Sequence, residues 1–238
     1  MSQAKFFNSL VKRAIKLYTI PERKVVFANR DSNKLVVEGI HGSGKSTFCL
    51  ALSRLIDEHN ERVEESQRIH YKLVDENTDE IRRLAMMEKE CYALFAITEM
   101  LVERCVDLPN VDENGNQLFY IIDRGNLPST VYTALLEYIA ASNEARMSSA
   151  SEATILQSVS ARVSYYITEC TRRGFFPIGD ASTLYITSTT EDFSVFEGWV
   201  KKRGRSNDIQ LTSAQYKLLG NLYNHYHEEI ESILPPTV

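Results

Sequence analysis

The chain has 238 residues, 43% of them hydrophobic and 25% charged, with a formal net charge of −5 at pH 7. That length allows one domain or two small ones with a sizeable core, in an ordinary globular composition. The acidic balance excludes a general basic coat for nucleic acid, leaving room only for a local groove, and no apolar run approaches the ~18–20 residues of a membrane span.

Residues 1–30 run against the overall charge. They hold Lys5, Lys12, Arg13, Lys16, Arg23, Lys24 and Arg30 against one acid, Glu22. Phe6, Phe7, Leu10, Val11, Ala14, Ile15 and Tyr18 recur at helical spacing, which predicts a basic amphipathic helix. Its apolar face suits packing on its own domain, and its basic face would suit a partner, nucleic acid or a membrane surface. Apolar and β-branched runs then predict strands near 24–28, 34–38, 69–74, 118–122 and 182–188. Helical periodicity covers 45–59, 79–105, 129–143, 151–173, 190–203 and 212–233. This alternation predicts an α/β fold of three layers, a parallel sheet flanked by helices. Asn110–Gln117 is a polar turn feeding a strand, and 141–152 is a small, polar connection. No linker separates two cores, so residues 34–238 are expected to form one domain behind an extension, 1–33.

The stretch EGIHGSGKST (38–47) carries the sharpest signal. Gly39, Gly44, Lys45 and Ser46 stand at the spacing of the phosphate-binding loop, between a predicted strand and a predicted helix. Glycines let the backbone turn successive N–H groups toward an anion, and the helix that follows adds its dipole. Gly39, His41, Gly42, Ser43, Gly44, Lys45, Ser46 and Thr47 would thus hold ATP. Lys45 would reach the β- and γ-phosphates, and Ser46 would ligate Mg²⁺. His41 is expected to contribute its backbone more than its imidazole.

A second element is Asp123-Arg124, where 118–122 ends. Asp123 can join the Mg²⁺ shell, and Arg124 offers a bidentate fork to a second phosphate. Absence of an Asn-Lys-x-Asp motif argues against a switch GTPase, and Asp-Arg in place of Asp-Glu against a motor ATPase. A third element is KKRGR (201–205), a helix end or a basic lid whose arginines, Arg203 and Arg205, would close over a transferring phosphoryl group.

With these residues in place the chain resembles the thymidylate kinase family of nucleoside-monophosphate kinases. VVEGIHGSGKST looks like that family's first strand and phosphate loop. IIDRGNLPSTVY (121–132) resembles its Asp-Arg motif, and LYITSTTEDFSVFEGWVKKRGRSNDIQ (184–210) its following strand, helix and lid. DENTDEIRRL (75–84) and LFAITE (94–99) are similar to its acceptor loop and base-stacking helix. The resemblance implies a P-loop kinase fold with a basic lid and an ATP- and Mg²⁺-dependent phosphotransferase. It implies Lys45, Asp123, Arg124, Arg203 and Arg205 as catalytic residues. For the acceptor it implies Glu76 near the sugar or metal, Phe95 stacked on the base, Tyr132 against the deoxyribose and Arg124 on the monophosphate.

Two positions depart from the family. Asn77 stands where an arginine is usual, and Glu99 where the base-contacting helix often has another. A carboxylate accepts hydrogen bonds, so Glu99 suits an amino or hydroxymethyl substituent better than a thymine carbonyl. The family also continues past its lid into a further strand and helix that help hold the adenine. Here residues 24–27 are expected to pair with 34–37 through 29–33 and replace that edge strand.

A small-molecule nucleotide is the leading partner, with a homodimer and nucleic acid at the basic N-terminus left open. One alternative is a kinase acting on a hydroxyl, of a deoxynucleoside or of a hydroxymethylated base in DNA, with Glu76 as base. Another is a nucleotide-binding module without catalysis. Cys49, Cys91, Cys105 and Cys170 form no CxxC pair and point to reduced thiols in the cytoplasm. His225 and His227 lack a third ligand in register, and Tyr216, Leu219, Leu222, Tyr223 and Tyr226 form a core stripe.

Overall fold

A computed structural model describes residues 2–30, 32–75, 108–124, 131, 157, 161, 181–189, 193–204 and 211–233, the side chains of 226 and 229–233 excepted. Apart from Val131, Gln157 and Ala161, each helical, the spans expected to be helices at 79–105, 129–143 and 151–173 and the connection at 141–152 lie outside the described residues.

Helix α1 (Gln3–Tyr18) starts where the Ser2 hydroxyl accepts a hydrogen bond from the Lys5 amide at 3.3 Å and stops at Thr19, whose backbone is extended. Phe7, Leu10, Val11, Ala14 and Tyr18 are buried, while Lys5, Lys12, Arg13 and Lys16 face solvent. The apolar stripe therefore packs on this chain's own core.

All five expected strands form: β1 (Arg23–Ala28), β2 (Lys34–Gly39), β3 (His70–Val74), β4 (Leu118–Asp123) and β5 (Ser182–Ser188). Their order is β1-β5-β2-β4-β3. The pairs β2·β4, β2·β5 and β3·β4 are parallel, and β1 is antiparallel to β5, so the sheet is mixed where a parallel one was expected. Strand β1 does take an edge, but its partner is β5 and not residues 34–37. Both sides of β2 are already occupied, by β4 and β5, so the connection 29–33 must step across β5. Two inter-strand spacings are about 10 Å, well within the reach of five residues. Ser182 pins this crossing, accepting from the Arg30 amide at 2.9 Å and donating to the Arg30 carbonyl at 3.0 Å.

Helix α2 (Lys45–Asn60) follows β2 directly; α3 (Ser194–Arg203) and α4 (Ser213–Ile233) follow β5. One sheet face presents Leu35, Val37, Phe119, Ile121, Leu184 and Ile186 to α1 and α2 in a single core. Phe7 stacks on Phe119 with ring centroids 4.8 Å apart. The opposite face carries Val36, Leu118, Tyr120 and Ile122. Tyr185, alternating with Leu184 and Ile186, turns to α4, where its hydroxyl donates to Asn224 Oδ1 at 3.0 Å. Strand β4 is buried along its whole length, as a parallel strand covered on both faces must be. Tyr216, Leu219, Leu222 and Tyr223 form the buried stripe of α4. No helix among the described residues is long and apolar enough to cross a membrane.

Candidate functional site

Four parallel strands put their carboxyl ends on one edge, and there the sequence motifs meet. Strand β2 ends in Gly39, and the turn from Ile40 to Gly44 delivers the chain to α2 at Lys45. Gly39, Gly42 and Gly44 have φ of 145°, 79° and 91°. At Gly44 this is the left-handed region, which side chains rarely tolerate. Helix α2 begins without a side-chain cap, so its first N–H groups stay available at the loop mouth, where the helix dipole favours an anion. Lys45 is buried at its base and its Nζ donates to the Ile40 carbonyl at 2.9 Å, folding the side chain back over the loop. Ser46 and Thr47 are exposed.

The neighbouring strand brings Asp123 and Arg124 alongside. Val37 of β2 lies opposite Asp123 of β4, and the Arg124 amide donates to the Val37 carbonyl at 3.0 Å. Both side chains are buried, at 5% and 8% exposure. Arg124 is the described non-glycine residue with positive φ, 71°. Such strain costs about 1–3 kcal/mol and concentrates at sites where a side chain must be aimed. Burial, then the nearby Asp123 carboxylate, push the Cys49 thiol well above its ordinary range, while Lys45 pulls it down. Asp123 and Lys45 therefore share one neighbourhood beneath the loop, and Cys49 is an inert core thiol.

No group of three or more His, Cys, Asp or Glu able to hold a metal occurs among the described residues. The Ser46 hydroxyl and Asp123 carboxylate are hard oxygen donors, and this short set fits Mg²⁺, which binds through one or two protein oxygens beside water and phosphate.

Two walls flank the loop. On one side the Tyr18 hydroxyl, at the end of α1, donates to the Gly44 carbonyl at 2.6 Å, with the Ser43 carbonyl at 3.2 Å. Burial pushes the Tyr18 pKa up to about 12, keeping it a donor across the working pH range. Arg23 opens β1 and sits opposite Ser188, the last residue of β5. Because β1 runs antiparallel, its first residue falls on the edge where the other strands end. The Arg23 guanidinium lies between two rings, 4.3 Å from the Tyr18 centroid and 4.4 Å from that of Trp199 on α3.

On the other side α3 and α4 close in. A Cβ at Gly42 would lie 2.6 Å from Val200 Cγ2 and 2.7 Å from the Phe196 carbonyl oxygen. The Tyr216 hydroxyl of α4 donates to the His41 carbonyl, and Arg203 Nη2 sits 2.9 Å from His41 Nε2. His41 thus contributes its backbone carbonyl, and its imidazole meets Arg203 as well, because α3 ends directly over it. Of the cations at 201–203, which form the last turn of α3, Lys201 is paired with Glu197 one turn back, and Gly204 in a left-handed conformation ends the helix.

Glu76, Asn77, Phe95, Glu99, Tyr132 and Arg205 lie outside the described residues, so of the expected acceptor contacts only Arg124 is described. Gly39 through Thr47, Asp123, Arg124 and Arg203 gather at one edge. Sequence reasoning missed Tyr18, Arg23, Trp199 and Tyr216 as site residues. Tyr18 and Tyr216 were absorbed into apolar stripes and Arg23 into a charge count. Their partners at the loop are 21–175 positions away, and no local pattern carries such a contact.

Compared with known proteins, the chain matches no family model, no curated protein and no solved structure.

Proposed function

We propose that this chain transfers the γ-phosphoryl group of ATP to a nucleoside monophosphate, as the thymidylate kinase family it resembles does. The observation that carries the reading is the register of β2 with β4. A phosphate-type loop and a buried Asp-Arg pair end adjacent strands, Val37 opposite Asp123, with the left-handed Arg124 held by the Val37 carbonyl.

In this reading the loop amides and Lys45 grip the β- and γ-phosphates of the donor. Ser46 and Asp123 would hold Mg²⁺, which when bound neutralises charge on those phosphates. Arg124 grips the acceptor phosphate through its planar fork, and its burial sharpens that interaction. Arg203 approaches from the end of α3 and exchanges the His41 ring for anionic phosphate oxygens, which its planar fork can meet with two bonds. These groups supply positioning, charge neutralisation and exclusion of water, which is nearly all that phosphoryl transfer asks of a protein.

An ADP-release assay across the ribo- and deoxynucleoside monophosphates tests the reading. Turnover of at least one is expected. Turnover of nucleosides or hydroxymethylated DNA alone would assign a hydroxyl acceptor, and no acceptor-dependent release from folded protein would reject catalysis.

A further inference from the structure

The proposed donor site contains nothing from residues 1–33 by motif, yet that segment reaches the loop at two points. Tyr18 donates to the Gly44 carbonyl, and Arg23 is so close that a Cβ at Gly44 would lie 2.9 Å from its Nη2. The same guanidinium stacks on Trp199, at 4.4 Å, one residue before Val200, whose side chain packs over Gly42. Arg23 Nε is buried and has no hydrogen-bond partner among the described residues. What holds Arg23 is therefore the pair of aromatic faces, each contact worth about 0.5–2 kcal/mol. The stack is continuous from the loop backbone, through Tyr18 and Arg23, to the helix that carries the lid cations.

We infer that Arg23 is a positioning residue of the nucleotide site: the Tyr18–Arg23–Trp199 stack fixes α3 and its terminal Arg203 against the phosphate loop, so that loop and lid respond to nucleotide as one unit. The inference rests on the proposed donor site and goes beyond it, since it assigns the N-terminal segment a part in nucleotide binding. Lysine cannot replace the residue, because a compact ammonium does not fill the space between two rings as a planar guanidinium does. The topology explains why a residue so early in the chain can act here. Only an antiparallel β1 places its first residue beside the carboxyl end of β5 and the start of the lid connection.

Trp199 is the chain's sole tryptophan, so tryptophan emission reports on the surroundings of this one ring, which are Arg23 and the Phe196 ring of its own helix. Mg·ADP and Mg·ATP are titrated into the full chain, binding being followed by calorimetry and the stack by fluorescence. The expected result is a saturable change in Trp199 emission with the same Kd as the heat. Arg23→Lys should bind about tenfold more weakly and lose most of the emission change, with a melting temperature within a few degrees of wild type. Should Arg23→Lys fail to fold, Trp199→Leu removes the outer ring instead, and calorimetry should again show several-fold weaker binding. Nucleotide binding by the wild type with unaltered emission would overturn the inference and leave the donor site standing. Wild-type affinity in Arg23→Lys, or in Trp199→Leu, would do the same. No heat of binding to the wild type would reject the donor site, and this inference with it.

Discussion

The two walls of the phosphate loop are built differently. Tyr18 belongs to the main core, in one cluster with Phe48, Leu35 and the sheet, and its hydroxyl grips the last glycine of the loop. The opposite wall rests on contacts of α3 and α4 with each other, such as the Phe193 ring against Gly220 and the Glu197 carboxylate accepting from Ser213. It ends in Lys201, Lys202 and Arg203, all exposed. The first wall fixes the backbone geometry that an anion needs. The second presents exposed positive charge at a helix end, where cations also complement the dipole. A fixed cradle beside an exposed cationic edge is the division that phosphoryl transfer calls for.

Lys45, whose amine folds back over the loop between the walls' anchor points to meet the Ile40 carbonyl, should give the largest effect. Lys45→Met is expected to lower kcat/KM by roughly 10²–10³-fold, as loss of one preorganised charge at a transferring group does. Thermal unfolding, measured beside the rates, should change far less.

Gly44→Ala strikes the fixed wall. The new Cβ would overlap the Tyr18 hydroxyl in a backbone conformation already unfavourable to alanine, costing about 2–4 kcal/mol in denaturant unfolding. Gly42→Ala strikes the other wall, where the new Cβ would meet both the Val200 side chain and the Phe196 carbonyl oxygen, so α3 must shift and the cost should be similar, about 2–4 kcal/mol. A loss below about 1 kcal/mol in either variant would contradict the packing of that wall on the loop.

Acid should loosen the sheet face that carries the second wall. Burial, with Lys24 adding to it, lowers the His227 pKa from 6.5 to about 4, where the ring packs on Tyr185. The unfolded chain therefore binds this proton more readily than the folded one, and stability falls as pH drops from about 6.5 to about 4. The loss is on the order of 1–3 kcal/mol, and His227→Gln should flatten that limb of the pH–stability curve.

Two smaller effects finish the comparison. Tyr18→Phe removes a buried hydroxyl bond and should cost about 1 kcal/mol by equilibrium unfolding. Lys201→Met removes a one-turn ion pair whose lysine faces water and should cost about 0.5 kcal/mol or less.

Much of this was legible in the sequence because the signals are local. The five strands announce themselves as β-branched or aromatic runs, and the loop's glycines and lysine follow from what a phosphate demands of a backbone. Strand β1 shows where locality ends. Its apolar run marks a strand, but pairing with β5, where Phe27 meets Leu184 157 positions on, depends on β2 being enclosed on both sides. Arg23 was hidden for the same reason, since its place at the site comes from strand direction and not from its neighbours. The contact of the His41 ring with Arg203, 162 positions away, left no local signal either.

The central claim is that the edge formed by Gly39–Ser46, Asp123 and Arg124 moves a phosphoryl group from ATP to a monophosphate. Incubating the chain with Mg²⁺, γ-labelled ATP and a mixture of nucleoside monophosphates, then separating the products, tests it most directly. The account predicts label in a nucleoside diphosphate, lost in Lys45→Met. Label that appears only as inorganic phosphate, or stays in ATP, would contradict it.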